Sequence, residues 1–239
     1  MVFVRFSGCN LRCPFCDTDH SAATVMSSAE IVAACLDALR AVRASGAAGA
    51  SWAHEATMAH ETIMAPGAAM AQDAPEAPGA LRASEAAAES PLSTEVSPSS
   101  APFASPSFRV CLTGGEPSLQ IDSELITVLR EAGFLVHIET NGTKTLPSGI
   151  DWVTLSPKED VEGLVGNGRV ILQEADELKL VYSDKVDPSR WISFPASWHF
   201  LQPCSLSDGS ANISETVSYI QSHPSWRLSL QTHKFLGIR

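Results

Sequence analysis

The sequence predicts an α/β fold, built on a parallel sheet or barrel, that binds its ligands at the carboxyl ends of the strands. Short apolar runs alternate along the chain with segments of helical periodicity, which is typical of repeated βα units. Unusual polar clusters directly follow five of the apolar runs, where such folds bind ligands. With 239 residues, 44% of them apolar, the chain can bury one sizeable core, so we expect one main domain.

The helices and strands follow from the spacing of apolar residues and from the residues that flank each run. A helix over 27–43 begins at a serine cap, and a second helix over 123–133 ends at Gly133. A third helix is predicted over 213–223. The predicted strands are VFVRF (2–6), FRVCL (108–112), FLVHIET (134–140), DWVTLS (151–156), ELKLVY (177–182), WHFLQP (198–203) and WRLSLQ (226–231).

The segment 44–107 interrupts this alternation. It is rich in Ala, Pro, Ser and Glu, shows neither strand nor helix periodicity, and contains seven acidic residues but one basic residue. Such a composition buries too little apolar surface to offset the cost of ordering the backbone, so we predict a low-complexity, largely disordered insertion. Residues 1–43 and 108–239 would then form the single domain.

Only WAHEATMAHETIM (52–64) in this insertion favours a short helix. His54 and His60 lie in that stretch, but neither has an acidic or thiol partner at a spacing that suits a metal site. We therefore interpret both histidines as solvated surface side chains.

Charge and hydropathy exclude several classes of function. The net charge of -11 argues against nucleic acid as a partner, because phosphate binding requires clustered Lys and Arg. The sequence contains no run of 18 apolar residues and does not begin with a secretory signal, so we expect a cytoplasmic protein without a membrane span. In that reducing compartment, closely spaced thiols indicate metal binding or redox chemistry rather than disulfides.

Three cysteines follow the first predicted strand in the stretch CNLRCPFCDT. Cys9, Cys13 and Cys16 are one thiol short of a complete set of four. A zinc site could take His20 as its fourth ligand. Alternatively, the three thiolates could hold a 4Fe-4S cluster whose fourth iron is open to a substrate or cofactor. The other cysteines lie in or beside apolar patterns and are interpreted as buried thiols: Cys35, Cys111 and Cys204.

The TGGEP turn after the second long strand favours the cluster over zinc. Gly114 and Gly115 allow the backbone to approach a ligand closely. Glu116 places a carboxylate where it could meet the ammonium group of that ligand. A lone GGE would be an ordinary turn, but beside a three-cysteine loop in a βα chain it indicates a ligand site.

A CxxxCxxC loop followed by GGEP in a βα chain resembles the radical S-adenosylmethionine enzymes, which have a partial (βα)6 barrel. The CDT, SPK and QTHK elements resemble one family among them, the 7-carboxy-7-deazaguanine synthases of queuosine biosynthesis. The matching elements, in family order, are FVRFSGCNLRCPFCDT, LTGGEPSLQ, IETNGT, LSPK, LKLVY, FLQP and LSLQTHKFLGIR.

The resemblance implies a role for each matching residue. The 4Fe-4S ligands would be Cys9, Cys13 and Cys16. Thr18 would contact a Mg2+ ion, which prefers oxygen ligands. The S-adenosylmethionine site would comprise Phe15, Asp17, Gly115, Glu116, Asn141, Ser156, Pro157, Lys158, Gln202, Pro203, Cys204 and Ser205. The substrate contacts would be Arg5, Thr113, His233 and the terminal Arg239. No catalytic residue is implied beyond the cluster and S-adenosylmethionine.

The reaction implied is a radical ring contraction by a carbon-nitrogen lyase. It would convert 6-carboxy-5,6,7,8-tetrahydropterin to 7-carboxy-7-deazaguanine with loss of ammonia. The resemblance also implies a flavodoxin- or ferredoxin-type electron donor and a homodimer. Two other interpretations share the cysteine spacing: an activase that makes a glycyl radical on a partner protein, and a non-catalytic metal-binding module.

One departure from the family pattern concerns the substrate site. Members of the family carry a Gln-Gly-Glu-Gly-like element, which touches the pterin, before the first strand, whereas the sequence here begins directly at MVFVRF. We expect the chain starting at Met1 to cleave S-adenosylmethionine slowly without product, and a version extended upstream to make the deazaguanine.

Overall fold

The computed structural model describes residues 1–18, 23–44, 63–64, 108–206, 210–232 and 234. Their strands are β1 Val2–Phe6, β2 Thr24–Val25, β3 Ile63–Met64, β4 Phe108–Gly114, β5 Phe134–Thr140, β6 Trp152–Leu155, β7 Ala175–Tyr182, β8 Ala196–Pro203 and β9 Arg227–Leu228. The helices are α1 Ser28–Ala44, α2 Ser123–Glu131 and α3 Ile213–Ser222, with one-turn 3-10 helices at Pro117–Leu119 and Pro188–Arg190.

One parallel sheet of seven strands organises the protein. Its order is β1-β4-β5-β6-β7-β8-β9, and every neighbouring pair is parallel. The short strands β2 and β3 form a separate parallel pair. These pairings confirm the predicted α/β class with a parallel sheet. In the part of the chain that the structure describes, β9 does not pair with β1, so the sheet has two edges.

The two faces of the sheet differ in chemistry because successive strand residues point to opposite sides. One face is apolar and packs against α1 and α2 through residues such as Val4, Leu112 and Ile138, all buried. The register on the other face aligns Arg5 with Thr113. It also aligns a second set of polar residues in neighbouring strands, namely Glu139, Thr154 and Glu177. A polar row therefore crosses five strands on the face opposite these helices.

Capping contacts confirm the predicted starts of α1 and α2 and the role of Gly133 after α2. At α1, the backbone N and Oγ of Ser27 both donate to the Glu30 carboxylate at 2.7 Å, while Ser27 Oγ accepts from the Glu30 N. This reciprocal arrangement is a capping box. Asp122 caps α2 by accepting from the Leu125 N at 2.8 Å, and Gly133 ends the helical segment in the left-handed region at φ +88°.

Several sequence expectations differ from the structure. The strand expected over 226–231 is shorter, because β9 lies at the edge of the sheet, where Leu228 and, beyond the strand, Leu230 remain partly exposed. The helix expected over 52–64 is wrong at its last two residues, which form β3, and its remainder lies outside the described residues. Apart from Ala44 and β3, the predicted insertion also lies outside them. No helix in the described ranges is long and apolar enough to cross a membrane.

Candidate active site

The carboxyl ends of the strands bring the predicted site residues to one edge of the sheet. The loop 9–18, called the cluster loop below, follows β1, and the GGEP turn follows β4. Asn141 follows β5, Ser156 to Lys158 follow β6, and Cys204 follows β8. Because the strands are parallel and neighbours in one sheet, these segments emerge on the same side.

The cluster loop holds three free thiols near the surface. Cys9 and Cys13 are half-buried, whereas Cys16 is exposed. The Leu11 N donates to Cys9 Sγ at 3.4 Å, and the Cys16 N donates to the Cys13 carbonyl at 3.1 Å. Burial raises the pKa of Cys9 and of Cys13, and for Cys13 the positive charge of Lys158 counteracts part of that rise. Metal binding would have to deprotonate these thiols.

The three cysteines of this loop, named the cluster cysteines, can be matched to the ligand geometry of a single ion or of a cluster. Among the described residues, no three His, Cys, Asp or Glu side chains converge as ligands of a single ion would. In a 4Fe-4S cluster each cysteine binds a different iron, so its ligands need not converge on one point. The donor chemistry suits such a cluster, because three free thiols, half-buried or exposed, lie within one short loop. His20, the fourth ligand of the zinc alternative, lies outside the described residues.

Glu116 is buried at 1% exposure and joins the ends of β4 and β5. Its Oε1 accepts from the Ser118 N (3.1 Å), Ser118 Oγ (2.6 Å) and Thr140 Oγ1 (2.7 Å). Its Oε2 accepts from the Asn141 N at 2.7 Å. The carboxylate that the sequence predicts to bind a ligand therefore already accepts hydrogen bonds from the GGEP turn and from the end of β5. Only Oε2, with one bond, can accept another.

Asn141 links the end of β5 to the cluster loop. Its Nδ2 donates to Asn10 Oδ1 at 3.1 Å, and Asn10 Nδ2 donates to Thr143 Oγ1 at 2.8 Å. Thr143 closes the ring by donating from both N and Oγ1 to Asn141 Oδ1. Sequence reasoning missed Asn10 and Thr143, although CN and NGT in the quoted motifs contain them.

Two further contacts hold the segment after β1, from Gly8 through the cluster loop, against the GGEP turn. Thr18 Oγ1 donates to the Gly114 carbonyl at 3.3 Å, and the Glu116 N donates to the Gly8 carbonyl at 2.9 Å. The Gly115 N donates to the Phe6 carbonyl at 2.7 Å, at the end of β1. Phe15, the aromatic neighbour of Cys16, is half-buried. The structure therefore brings the loops after β1 and β4 together.

Lys158 supplies a cation beside the cluster loop. Its Nζ donates to the Ser156 carbonyl at 2.7 Å and to Ser156 Oγ at 2.6 Å, across the buried Pro157. Burial lowers the pKa of Lys158 to about 8, although the nearby Cys13 thiolate counteracts part of this effect. The SPK element therefore folds into a compact turn with its ammonium held in place.

The final part of the site joins β8, the cluster loop and the chain's end. Lys234 Nζ forms an ion pair with Asp17 at 2.6 Å and donates to Ser205 Oγ at 3.0 Å. Burial alone would raise the pKa of Asp17, but Lys234 outweighs it and the pKa is lowered. Of the other QPCS residues, Gln202 is half-buried and Pro203 and Cys204 are buried. Lys234 was missed, although the QTHK element contains it.

The predicted substrate contacts fall on the polar row of the sheet. Thr113 Oγ1 donates to Glu139 Oε2 at 2.9 Å, and Lys179 Nζ pairs with Glu139 Oε1 at 2.6 Å. Arg5 is the exposed end of this row on β1. Sequence reasoning missed Glu139 in IET and Lys179 in LKL. Their charges within otherwise apolar strands could have revealed them, because a buried strand seldom carries a charge without a partner. His233 and Arg239 lie outside the described residues.

No family model matches the chain, but it is similar to named proteins. The 7-carboxy-7-deazaguanine synthase of Bacteroides thetaiotaomicron is 38% identical over 238 residues, which cover 100% of this chain and 87% of that protein. The chain belongs to the 7-carboxy-7-deazaguanine synthase family. This membership confirms the resemblance drawn from the motifs and favours the synthase over the activase and the non-catalytic module.

Other members of the synthase family match over a shorter region. The Caulobacter vibrioides synthase is 44% identical over 130 residues, and that of Nitratidesulfovibrio vulgaris is 46% identical over 134 residues. Both matches cover 54% of this chain, and they span 59% and 58% of those two proteins. The crystal structure of QueE from Escherichia coli aligns with a TM-score of 0.50 at 21% identity, covering 96% of this chain and 84% of QueE. That likeness concerns the fold.

Proposed function

We propose that this protein converts 6-carboxy-5,6,7,8-tetrahydropterin to 7-carboxy-7-deazaguanine with loss of ammonia. One observation carries the proposal: the three-thiol cluster loop lies at the same sheet edge as the GGEP, SPK and QPCS segments. The identity of 38% to a named synthase along the whole chain supports the same activity. The substrate is accordingly a small molecule.

The cluster cysteines would hold the 4Fe-4S cluster, and the surrounding loops would hold S-adenosylmethionine. When bound, these groups supply the radical that starts the ring contraction. The chain's own residues position them: Asn141 and Asn10 fix the cluster loop, and Glu116 fixes the GGEP turn. Lys158 places a positive charge beside Cys13, which favours the thiolate that binds iron.

We place the substrate against the polar row of the sheet. Lys179 keeps Glu139 ionised, because the attraction of the ammonium lowers the pKa of the carboxyl more than burial raises it. An ionised carboxylate accepts hydrogen bonds from the N-H groups of an amino-pyrimidinone ring. Arg5, on the same row, offers a cation to the carboxylate of the pterin. Thr18 would give its oxygen to Mg2+, which the substrate would share.

The remaining parts of the proposal concern the protein's surroundings. The cluster needs one electron in each cycle, which a flavodoxin- or ferredoxin-type donor would supply. The exposure of Cys16 supports delivery from outside the protein, since a donor can approach that side of the loop. The free state of all six cysteines fits a reducing cytoplasm. We propose a homodimer as the functional form.

An anaerobic assay tests this function. Reconstituted protein would be mixed with S-adenosylmethionine, dithionite, Mg2+ and the carboxy-tetrahydropterin, and the products analysed by mass spectrometry. We expect 7-carboxy-7-deazaguanine from the wild type and from Cys35→Ala, but none from Cys16→Ala. A colourless wild-type protein carrying one zinc would refute the radical chemistry. A glycyl radical formed on an added partner protein, without deazaguanine, would favour the activase.

A further inference from the structure

The loop 159–169 lies across the cluster loop and is joined to it by backbone hydrogen bonds. The Arg12 N donates to the Val165 carbonyl at 2.9 Å, and the Val165 N donates to the Arg12 carbonyl at 3.2 Å. This antiparallel bridge falls between Cys9 and Cys13, next to the second cysteine. The cluster loop has no helix or strand of its own, so this bridge is its regular backbone pairing.

Two glycines allow this close approach. Gly166 has φ +110°, and a Cβ there would lie 2.5 Å from the Asn10 carbonyl oxygen and 3.0 Å from Leu11 Cδ2. The first neighbour is backbone, which cannot rotate away as a side chain can. Gly163 faces the Pro14 ring, where a Cβ would lie 3.2 Å from Cγ. The loop therefore touches the stretches on both sides of Cys13.

The loop 159–169 is itself fixed to the hydrophobic core. Asp160 Oδ2 accepts from Trp191 Nε1 at 2.7 Å, and Asp160 also pairs with Arg190. Trp191 is buried at 8% exposure in the core around β7 and β8. Beyond the loop, the Ile171 N donates to the Gly142 carbonyl at 2.8 Å. Contacts with the core thus hold the surface that the cluster loop rests on.

We propose that the loop 159–169 positions the cluster cysteines, with Gly166 setting how closely the Cys9–Cys13 backbone approaches it. The sulfur positions of a loop without helix or strand depend on what the loop rests on. Beside the side-chain contacts of Asn10, Asp17 and Thr18, the bridge at Arg12 supports the backbone itself and is anchored through Asp160 to the core. The inference rests on the proposed function in one respect, namely that these cysteines hold a cluster. The residues of the loop act through the cysteines and touch no reacting atom.

The test compares Gly166→Ala with Gly133→Ala. Both glycines are in the left-handed region, at φ +110° and +88°, so both variants strain the backbone. At Gly133 a Cβ would meet nothing within 4 Å, so only Gly166→Ala pushes on the cluster loop. We would measure the thermal midpoint of the iron-free chains, iron per chain after reconstitution, the rate of iron loss to a chelator, and the EPR spectrum of the reduced cluster.

We expect both iron-free variants to be folded at the temperature of the iron assays, with the lower thermal midpoint in Gly166→Ala because its Cβ also meets backbone. Iron loss should be about tenfold faster in Gly166→Ala, with an altered EPR spectrum, because only there does the added Cβ displace the backbone between Cys9 and Cys13. A distortion of about 1.4 kcal/mol in the cluster site corresponds to that factor. Equal iron loss in the two variants, from a wild type that holds its cluster, would overturn the inference. A wild type without a cluster would instead overturn the proposed function.

A second variant covers the case in which Gly166→Ala does not fold. Trp191→Phe keeps an aromatic ring in the core but removes the Nε1 donor that holds Asp160. We expect Trp191→Phe to lose iron faster than the wild type but more slowly than Gly166→Ala, because the bridge between Arg12 and Val165 remains. Iron loss at the wild-type rate in Trp191→Phe would contradict the anchoring through Asp160 and overturn the inference.

Discussion

Substitution of Glu116 by Gln should destabilise the protein even without any ligand. The carboxylate accepts three hydrogen bonds at Oε1 and one at Oε2, all from protein groups. If the glutamine oxygen takes the place of Oε1, the side-chain NH2 takes the place of Oε2 and points at the Asn141 N-H. The hydrogen bond from Asn141 is then lost, and two buried donors face each other. Leaving such groups unsatisfied costs about 1–3 kcal/mol. The opposite amide orientation would lose more bonds.

The expected loss can be measured as a thermal midpoint. At about 2 kcal/mol, a chain of this size should unfold roughly 4–8 °C lower than the wild type. The assay is anaerobic thermal unfolding of the iron-free protein, monitored by circular dichroism. Glu124→Gln is the control, because Glu124 is an exposed glutamate in the first turn of α2. A midpoint for Glu116→Gln equal to that control would refute the structural role and return Glu116 to the ligand-binding role predicted from sequence.

Three further predictions follow from the cysteines, the polar row and the insertion. Alanine at any cluster cysteine should abolish the brown colour and the roughly four irons per chain, whereas alanine at Cys35, whose pKa burial raises to about 12, should leave the iron content unchanged. Lys179→Met should cost about 1–2 kcal/mol at neutral pH, discounted for the partial exposure of Glu139. Because the pKa of Glu139 is lowered in the folded protein, the ion pair contributes its full stability at pH values above 4.5, the ordinary pKa of the carboxyl group. This stability is lost as the pH falls through the pKa of folded Glu139. In urea unfolding, the free energy of unfolding should therefore rise more between pH 4 and pH 7 for the wild type than for the variant. Replacing residues 50–102 by a Gly/Ser linker should shift the thermal midpoint by only a few degrees, because β3 pairs with β2 over two residues; loss of iron or solubility would show that the segment packs on the domain.

Much of the fold could be predicted from local patterns, whereas the connections between loops could not. Apolar alternation locates the strands because one face of each is buried, and Ser27 and Gly133 mark helix ends by their own chemistry. The link between Asn10 and Thr143 joins residues 133 positions apart, and no spacing rule indicates it. The loop 159–169 was missed for the same reason, since its role comes from contact with the cluster loop.

For the candidate site too, the sequence predicted which segments form it but not which contacts its residues make. Family motifs identified the loops, and the comparisons confirmed the family. The individual ligand contacts of those residues remain predictions. Glu116 shows why: the sequence reveals a carboxylate near a ligand, but only the structure reveals that protein donors already occupy it.

The strand order has a consequence for how the protein folds. From β4 to β9, each strand pairs with the next one in the chain, so that part of the sheet can form from contacts between near neighbours. β1 differs, because Val2 pairs with Val110, and the segment 44–107 accounts for more than half of the chain between them. Bringing Val2 and Val110 together costs about 0.8 kcal/mol more in loop-closure entropy than it would without the segment 44–107, since that entropy grows only with the logarithm of loop length. The segment is therefore thermodynamically cheap, yet it makes β1 the strand with the most distant partner. We expect β1 to dock last, so the cysteines that follow it remain accessible to iron delivery until the sheet is complete.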